Sequence, residues 1–229
     1  MIFTHVPKTS GTSFRRSLVE PNVGEAATYR WAGVRRFFAD GAAERAFIWG
    51  HVPFGMHRLT GREVTYLCFL RDPVDRAVSY YYFVKDSDPT VYKHPMRDEA
   101  DALSLTEFYA RRKFQNWQSR FLAGFPYHYL YPRLASRRFE RATLDQASAN
   151  LFGRYACFGL QERFEESLEL FQRRLGWERR LEVERQKKTG KRPALSELDA
   201  PTRARLRELN ALDCELYELA TARFEGQWA

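Results

Sequence analysis

The fold is decided by the segment Ile2-Phe3-Thr4-His5-Val6-Pro7-Lys8-Thr9-Ser10-Gly11-Thr12-Ser13, which lies at the start of the sequence. Residues 2–6 are apolar and β-prone, and they predict a short strand. Residues 12–20 predict a helix, with Thr12 or Ser13 as its N-cap. A strand, a loop and a helix in this order indicate the first unit of an α/β fold.

The loop between this strand and this helix has the composition of an anion site. Its small residues allow backbone N–H groups to converge on an anion, and the helix N-terminus adds partial positive charge. Lys8 adds a full charge. Further donors are the hydroxyls of Thr9, Ser10, Thr12 and Ser13. The segment therefore predicts a site for a phosphate or a sulfate.

This loop differs from a Walker A loop, in which the lysine follows two glycines at the start of the helix. Here Lys8 comes first, and Gly11 is the one glycine of the segment. Taken alone, the loop is equally consistent with an ordinary strand-to-helix turn that carries a surface lysine.

The rest of the chain continues the alternation of strands and helices. Further strands are predicted at residues 46–49, 64–70 and 155–160. Helices are predicted at residues 74–84, 105–122, 137–151, 162–175 and 201–224, and a loop at 85–104. This pattern predicts a single α/β domain with a mostly parallel sheet flanked by helices, in which ligands bind beyond the carboxyl ends of the strands.

Composition limits the classes of partner and environment. The 229 residues suffice for one domain with a core, and 44% hydrophobic with 29% charged residues are typical of a globular protein. The net charge of +8 favours anionic partners such as nucleotides, nucleic acids, anionic glycans or a lipid surface. Because no apolar run reaches the roughly 20 residues of a membrane span and the N-terminus does not resemble a signal peptide, a cytoplasmic location is expected.

Neither a metal site nor a disulfide framework is predicted. The three cysteines, Cys68, Cys157 and Cys214, form no CxxC pair, and no cluster of His, Cys and Asp has the spacing of metal ligands.

A second anion site is predicted where the strand at residues 64–70 ends. Arg71 follows this strand directly, so its guanidinium can bind an anion with two hydrogen bonds. Ser79 lies eight residues later, about two helical turns away, and can approach the same anion. The alternative is an ion pair of Arg71 with Asp72 or Asp75 beside a buried Ser79.

Together, the two segments resemble the sulfotransferase superfamily. HVPKTSGTSF (5–14) resembles its 5′-phosphosulfate loop, and LRDPVDRAVSYYYF (70–83), about sixty residues further on, resembles its 3′-phosphate segment. The second motif is similar to the uronyl group, the heparan sulfate 2-O-sulfotransferase-like enzymes. GHVPFGMH (50–57), FGLQERFEESLELF (158–171) and LDCELYELATARF (212–224) fit the same group.

The resemblance implies a P-loop-kinase-like fold that binds 3′-phosphoadenosine-5′-phosphosulfate (PAPS), without a metal. It assigns the 5′-phosphosulfate to the loop from Lys8 to Ser13, and the 3′-phosphate to Arg71 and Ser79. In the basic stretch 187–192, Lys188 and Thr189 are candidate contacts, unless this stretch is a solvated loop. The implied PAPS-binding residues are Lys8, Thr9, Ser10, Gly11, Thr12, Ser13, Arg71, Ser79, Lys188 and Thr189.

The implied reaction is transfer of a sulfuryl group from PAPS to a hydroxyl by in-line displacement. Lys8 would stabilise the leaving phosphate. His51, which matches the catalytic histidine of the uronyl enzymes, would be the general base; a hydrogen-bonded loop histidine is the alternative.

A carbohydrate or glycoconjugate is the expected acceptor, in a cytoplasmic bacterial enzyme with no nucleic-acid partner. The residues assigned to the acceptor are His5, His57, Asn116, Gln118 and Arg120. Two other functions stay open: a P-loop-like kinase that uses ATP and Mg²⁺, and a non-enzymatic module that binds anions or glycans through diffuse basic charge.

Overall fold

Five parallel strands form the central sheet of the computed structural model, which describes residues 1–88, 90–134, 136–182 and 192–228. Their order across the sheet is β2-β3-β1-β4-β5, and each neighbouring pair is parallel. The strands are β1 (Ile2–Thr4), β2 (Thr28–Arg30), β3 (Phe47–Gly50), β4 (Tyr66–Leu70) and β5 (Tyr155–Leu160). The prediction of an α/β domain with a parallel sheet is confirmed.

Burial explains which strands the sequence pattern predicts. Every residue of β1 and β4 is buried, as expected of central strands that are covered on both faces. β2 lies at the edge of the sheet, and its three residues, TYR, are half-buried or exposed. It is absent from the prediction because Thr28 and Arg30 interrupt any continuous apolar run at this position.

Helices pack around this sheet. They are α1 (Gly11–Phe14), α2 (Glu20–Val23), α3 (Val34–Ala39), α4 (His57–Thr60), α5 (Pro73–Lys85), α6 (Arg97–Ala102), α7 (Leu105–Ala110), α8 (Trp117–Ala123), α9 (Phe125–Leu130), α10 (Arg137–Gly153), α11 (Phe164–Leu175), α12 (Ala200–Leu209) and α13 (Ala211–Arg223). A π-helical turn, Arg15–Val19, joins α1 to α2. Among the described residues, no helix combines the length and the apolar character needed to cross a bilayer.

Several boundaries differ from the prediction. The first helix begins at Gly11 with Ser10 as its N-cap, so the predicted N-cap, Thr12 or Ser13, is wrong. The segment 85–104, predicted as a loop, contains α6. The helix predicted at 105–122 is divided into α7 and α8, because Asn116 adopts a left-handed conformation with φ of 51°. The last helix is divided at Asn210, whose side chain donates to the Leu206 carbonyl at 3.0 Å and so competes with the regular helical bonds.

Two apolar clusters fix the elements that carry the site. The larger one surrounds the sheet and includes Phe3, Phe14 and Phe69, all without exposed area. The second one packs α5 against α6, α7 and α12, through side chains such as Val78 and Phe108. Because α5 is held on this side by buried apolar area, its opposite face is presented firmly to the end of β4.

Candidate active site

A cavity of about 570 Å³ lies at the edge of the sheet where the strands end. This volume is typical of small-molecule sites, which span about 300–1,000 Å³. The lining residues are His5, Pro7, Lys8, Ser10, Thr12, Ser13, Arg15, Arg16, Arg30, Trp31, Trp49, Gly50, His51, Arg71, Ser79, Phe83, Gln161, Phe164 and Arg192. The cavity is therefore at the position predicted for ligands of a parallel sheet.

The order of the strands arranges the chemistry along this cavity. Arg30 ends β2 at one edge of the sheet, and His51 follows β3. Lys8 follows the central strand β1, Arg71 follows β4, and Gln161 follows β5 at the other edge. In this order, His51 and Lys8 lie between Arg30 on one side and Arg71 on the other.

The loop after β1 is held in an unusual backbone conformation. Lys8 and Ser10 have φ angles of 70° and 62°, and such a left-handed conformation costs a non-glycine residue of order 1–3 kcal/mol. Thr9 lies between them, fully buried, and its hydroxyl donates to the Val6 carbonyl at 2.8 Å. Thr9 anchors the loop from behind, while Lys8 and Ser10 line the cavity.

The helix after this loop begins at a glycine because a histidine ring packs against it. A Cβ atom at Gly11 would lie 2.3 Å from Cδ2 of His5, which is too close for any real contact. The ring of His5 is in turn 4.8 Å from the ring of His51, centroid to centroid. Gly11 therefore acts through His5: it leaves room for the imidazole that forms one wall beside His51.

Arg71 is held so that part of its guanidinium remains available. Its Nη1 donates to the Lys8 carbonyl at 3.0 Å, and its Nε donates to Asp75 Oδ2 at 2.9 Å. Its Nη2 also pairs with Asp75. A guanidinium has five N–H donors, so within the described residues two remain for a ligand. Burial lowers the pKa of Arg71 and the Asp75 carboxylate opposes this shift, so the group stays cationic.

The Asp75 carboxylate also binds a second arginine of the cavity. Arg192 Nη1 lies 2.7 Å from Asp75 Oδ1, and Arg192 lines the cavity together with Ser79, which is buried on α5. The ion pair of Arg71 with Asp75, the alternative to an anion site, is thus present in addition to the shared cavity.

The hydrogen bonds of His51 define its tautomer. Its Nδ1 lies 2.8 Å from the carbonyl oxygen of His5. Because a carbonyl oxygen only accepts hydrogen bonds, Nδ1 carries the proton, and in the neutral ring Nε2 has the lone pair. His51 lines the cavity and is exposed. The ring has the form that a general base requires.

The surroundings of His51 favour this neutral form. The side chain of His51 has exposed area at the cavity, but protein atoms of the cavity walls surround the ring. The resulting desolvation lowers the pKa of His51 below its ordinary value. The hydrogen bond to the His5 carbonyl acts in the opposite direction, and the positive charge of Arg30 lowers the pKa further.

Four of the residues assigned to the acceptor lie outside the cavity lining. His57 begins α4, and its Nδ1 is 3.0 Å from the hydroxyl of Tyr66. Asn116, Gln118 and Arg120 are buried at the start of α8, each with at most 4% of its surface exposed. Of the five assigned residues, the cavity contains His5.

The buried residues have internal partners instead. Asn116 donates to the hydroxyl of Tyr131 at 2.7 Å. Arg120 donates to the carbonyls of Lys113 at 2.9 Å and His128 at 2.8 Å, and burial lowers its pKa to about 10. Lys188 and Thr189 lie outside the described residues, so their assignment to PAPS stays a prediction.

Several residues of the cavity lining were not predicted from the sequence pattern. Arg15, Arg16 and Arg30 line the cavity, as do Trp31 and Trp49. The guanidinium carbon of Arg15 lies 4.8 Å from the ring centroid of Trp49, and that of Arg30 lies 5.6 Å away. Trp49 was recognisable as the end of a predicted strand, whereas nothing in the sequence pattern identified the strand that carries Arg30.

A comparison with protein families identifies the chain. The model of the galactose-3-O-sulfotransferase family matches residues 14–229. The chain belongs to this sulfotransferase family. The match begins at Phe14, so the loop from Lys8 to Ser13 lies just before it, and the cavity of this sulfotransferase is its candidate active site.

Individual relatives of this sulfotransferase support the same grouping. Heparan sulfate 2-O-sulfotransferase 1 of Pongo abelii is 24% identical over 251 residues, an alignment that covers 98% of this chain and 70% of the relative. The Homo sapiens protein of the same name is 26% identical over 189 residues, which cover 78% of this chain and 53% of the relative. The alignments thus span between about half and 70% of the relatives' length. The predicted resemblance to the heparan sulfate 2-O-sulfotransferase-like group is confirmed.

Proposed function

We propose that this sulfotransferase moves the sulfuryl group of PAPS to a hydroxyl of a carbohydrate or glycoconjugate. One observation carries the proposal: Lys8, Arg71 and His51 line the same cavity, and the Arg71 guanidinium reaches the carbonyl of Lys8 at 3.0 Å. This arrangement supports two anion-binding positions, at Lys8 and at Arg71, and a base, His51, beside one sulfate donor and its acceptor. The family description and the names of the relatives all refer to carbohydrates, which supports a carbohydrate acceptor.

The charges of the cavity fit a donor with two anionic groups. Its cationic lining residues are Lys8, Arg15, Arg16, Arg30, Arg71 and Arg192. No Asp or Glu occurs among the described lining residues; Asp75 pairs with Arg71 and Arg192 from outside that lining. Such a positive, concave surface concentrates polyanionic ligands. We assign the 5′-phosphosulfate to Lys8 and the loop after β1, and the 3′-phosphate to Arg71 and Ser79.

Three groups of the chain account for the chemistry. When bound, PAPS would supply the sulfuryl group: the bond between its sulfur and the bridging oxygen of the 5′-phosphate breaks as the acceptor oxygen bonds to the sulfur, and adenosine 3′,5′-bisphosphate leaves. His51 accepts the proton of the acceptor hydroxyl at Nε2, while Nδ1 stays fixed on the His5 carbonyl. Lys8 and the N–H groups of its loop hold positive charge where negative charge grows, which is electrostatic preorganisation.

The β2–β3 side of the cavity is the proposed place for the acceptor. It lies beyond His51, away from Arg71, and Trp31 and Trp49 provide apolar area there. Pockets that combine aromatic area with a few polar groups are typical of small-molecule binding. His5 stays in this assignment, whereas His57, Asn116, Gln118 and Arg120 leave it because they do not line the cavity.

A cytoplasmic location of the protein also stays a proposal.

Nucleotide binding tests the function directly. We expect adenosine 3′,5′-bisphosphate to bind without a metal more tightly than ATP with Mg²⁺, measured by calorimetry. Arg71→Ala should weaken the bisphosphate about 10- to 100-fold, because a charge-assisted hydrogen bond contributes about 1.5–3 kcal/mol. AMP, which has no 3′-phosphate, should be affected far less.

A surface arginine provides the control for this measurement. Arg203 is exposed on α12 and is not part of the cavity lining, so Arg203→Ala should leave both affinities unchanged. Preference for ATP with Mg²⁺ would favour the kinase alternative. Equal losses of bisphosphate and AMP in Arg71→Ala would refute the assignment of the 3′-phosphate.

The pH dependence of kcat/KM tests the role of His51, because this ratio reports the free enzyme. The pKa of His51 is lowered, so the ring stays neutral to lower pH than usual, and activity should fall only below the ordinary histidine value of about 6.5. Arg30→Ala removes a positive charge that lowers this pKa, so the acid limb should move to higher pH. Arg30→Lys keeps the charge and should leave the limb in place. An acid limb that does not move in Arg30→Ala would contradict this electrostatic link.

A further inference from the structure

A buried side chain is paired with the main chain of Arg71. The Nε2 of Gln118 donates to the Arg71 carbonyl at 2.9 Å, and the Arg71 N–H donates to Oε1 of Gln118 at 2.9 Å. Gln118 has 1% of its surface exposed. β4 and its strand pairing end at Leu70. At the next residue, Arg71, the carboxamide of Gln118 supplies the main-chain hydrogen bonds that a neighbouring strand would otherwise make.

Gln118 is itself fixed by a carboxylate from the far end of the chain. Asp213 of α13 is fully buried, and its Oδ2 accepts from the Gln118 N–H at 3.1 Å. Its Oδ1 accepts from the N–H and the hydroxyl of Ser119, both at 2.8 Å. A carboxylate on these N–H groups satisfies donors that a helix N-terminus leaves unpaired. The start of α8 is therefore anchored, and the side chain of Gln118 projects from a rigid base.

Arg71 continues this connection into the cavity. Its main chain is held by Gln118, while its guanidinium is held by Asp75 and by the carbonyl of Lys8. An arginine side chain is long and loses much rotamer freedom when it is fixed. Because the main chain of Arg71 and three of its guanidinium N–H groups are fixed, the two remaining N–H donors have little freedom to move.

We propose that Gln118 is a positioning residue for nucleotide binding: its carboxamide fixes the main chain of Arg71 and thereby places the guanidinium for the 3′-phosphate. The inference rests on the proposed PAPS function for the identity of the ligand. Gln118 is not part of the described cavity lining, and it acts through Arg71. Glutamine suits this place because the site requires one donor and one acceptor in a single uncharged group.

A double-mutant cycle tests this role, with adenosine 3′,5′-bisphosphate and AMP as probes in calorimetry. Gln118→Leu removes both hydrogen bonds and should weaken the bisphosphate about 10-fold, with a smaller change for AMP. In the Arg71→Ala background the same substitution should cause no further loss, because its effect passes through Arg71. Gln118→Glu keeps the shape and one acceptor, loses the donor, and should weaken the bisphosphate in the same sense.

A second buried glutamine separates positioning from mere stability. Gln115 donates to the Tyr109 carbonyl at 2.9 Å and does not contact Arg71. Gln115→Leu should lower the melting temperature and leave the ratio of the two affinities unchanged. A ratio that also stays unchanged in Gln118→Leu and Gln118→Glu, or losses that add to that of Arg71→Ala, would overturn the positioning role alone. A wild-type protein that does not distinguish bisphosphate from AMP would overturn the proposed function and this inference with it.

Discussion

Replacing His51 with alanine is expected to reduce kcat about 10²- to 10⁴-fold, the range that general acid–base catalysis contributes. The Kd for adenosine 3′,5′-bisphosphate should stay nearly unchanged. The reason is geometric: Nδ1 of His51 is fixed on the His5 carbonyl, which leaves Nε2 as the proton acceptor in the proposed mechanism. The proposed contacts of the nucleotide, Arg71 and Ser79, are other residues of the cavity lining. The measurement is transfer of labelled sulfate from PAPS to a panel of glycans, alongside calorimetry with the bisphosphate.

A second histidine supplies the matched control for this variant. His57 also follows β3, but it bonds to Tyr66 and lies outside the cavity lining. His57→Ala should therefore retain turnover, even where the lost contact with Tyr66 reduces stability. Full activity of His51→Ala would remove the base from the mechanism, whereas a loss of bisphosphate binding would reassign His51 to the donor.

The parts of the site that are predictable from the sequence are local in the chain. The loop after β1 is recognisable by its small residues between an apolar run and a helix. Arg71 is recognisable because it directly follows a continuous apolar run. Both signals need only neighbouring residues, because the end of a parallel strand is also the edge where ligands bind. The sequence could not give the 3.0 Å contact between Arg71 and Lys8, since it depends on the lateral order of β1 and β4.

The residues of α8 illustrate why the remainder was not predictable. Asn116, Gln118 and Arg120 are polar, and polar residues are usually exposed. The burial of Gln118 involves Asp213, which lies 95 positions later in the chain and supplies the acceptor for the Gln118 N–H group. A polar residue that is buried by such a distant partner has the same local pattern as one that faces a ligand. The sequence pattern therefore assigned to the acceptor three residues that the structure buries among internal partners.

Lys8→Ala is the other substitution for which a large effect is expected. We expect kcat to fall about 10²- to 10³-fold, the typical loss of one preorganised group that stabilises developing charge. The backbone of the loop should survive, because Arg71 binds the carbonyl of Lys8 and not its side chain, and alanine keeps that carbonyl. Lysine and alanine at position 8 also have the same steric cost at a φ of 70°, because each has a Cβ atom. The loss should therefore reflect the missing ammonium and not a collapsed loop.

Lys8→Arg distinguishes a placed charge from charge in general. The ammonium of Lys8 lies 4.5 Å from the ring centroid of Phe83, which limits where a cationic head group can rest beside the loop. Arginine keeps the charge but replaces a compact point charge with a planar fork, so it should retain bisphosphate binding and recover only part of the turnover. A module that binds anions through diffuse charge would tolerate both substitutions, because other cations of the cavity would compensate. Unchanged sulfate transfer in Lys8→Ala, measured at saturating PAPS, would therefore exclude the ammonium from the reaction.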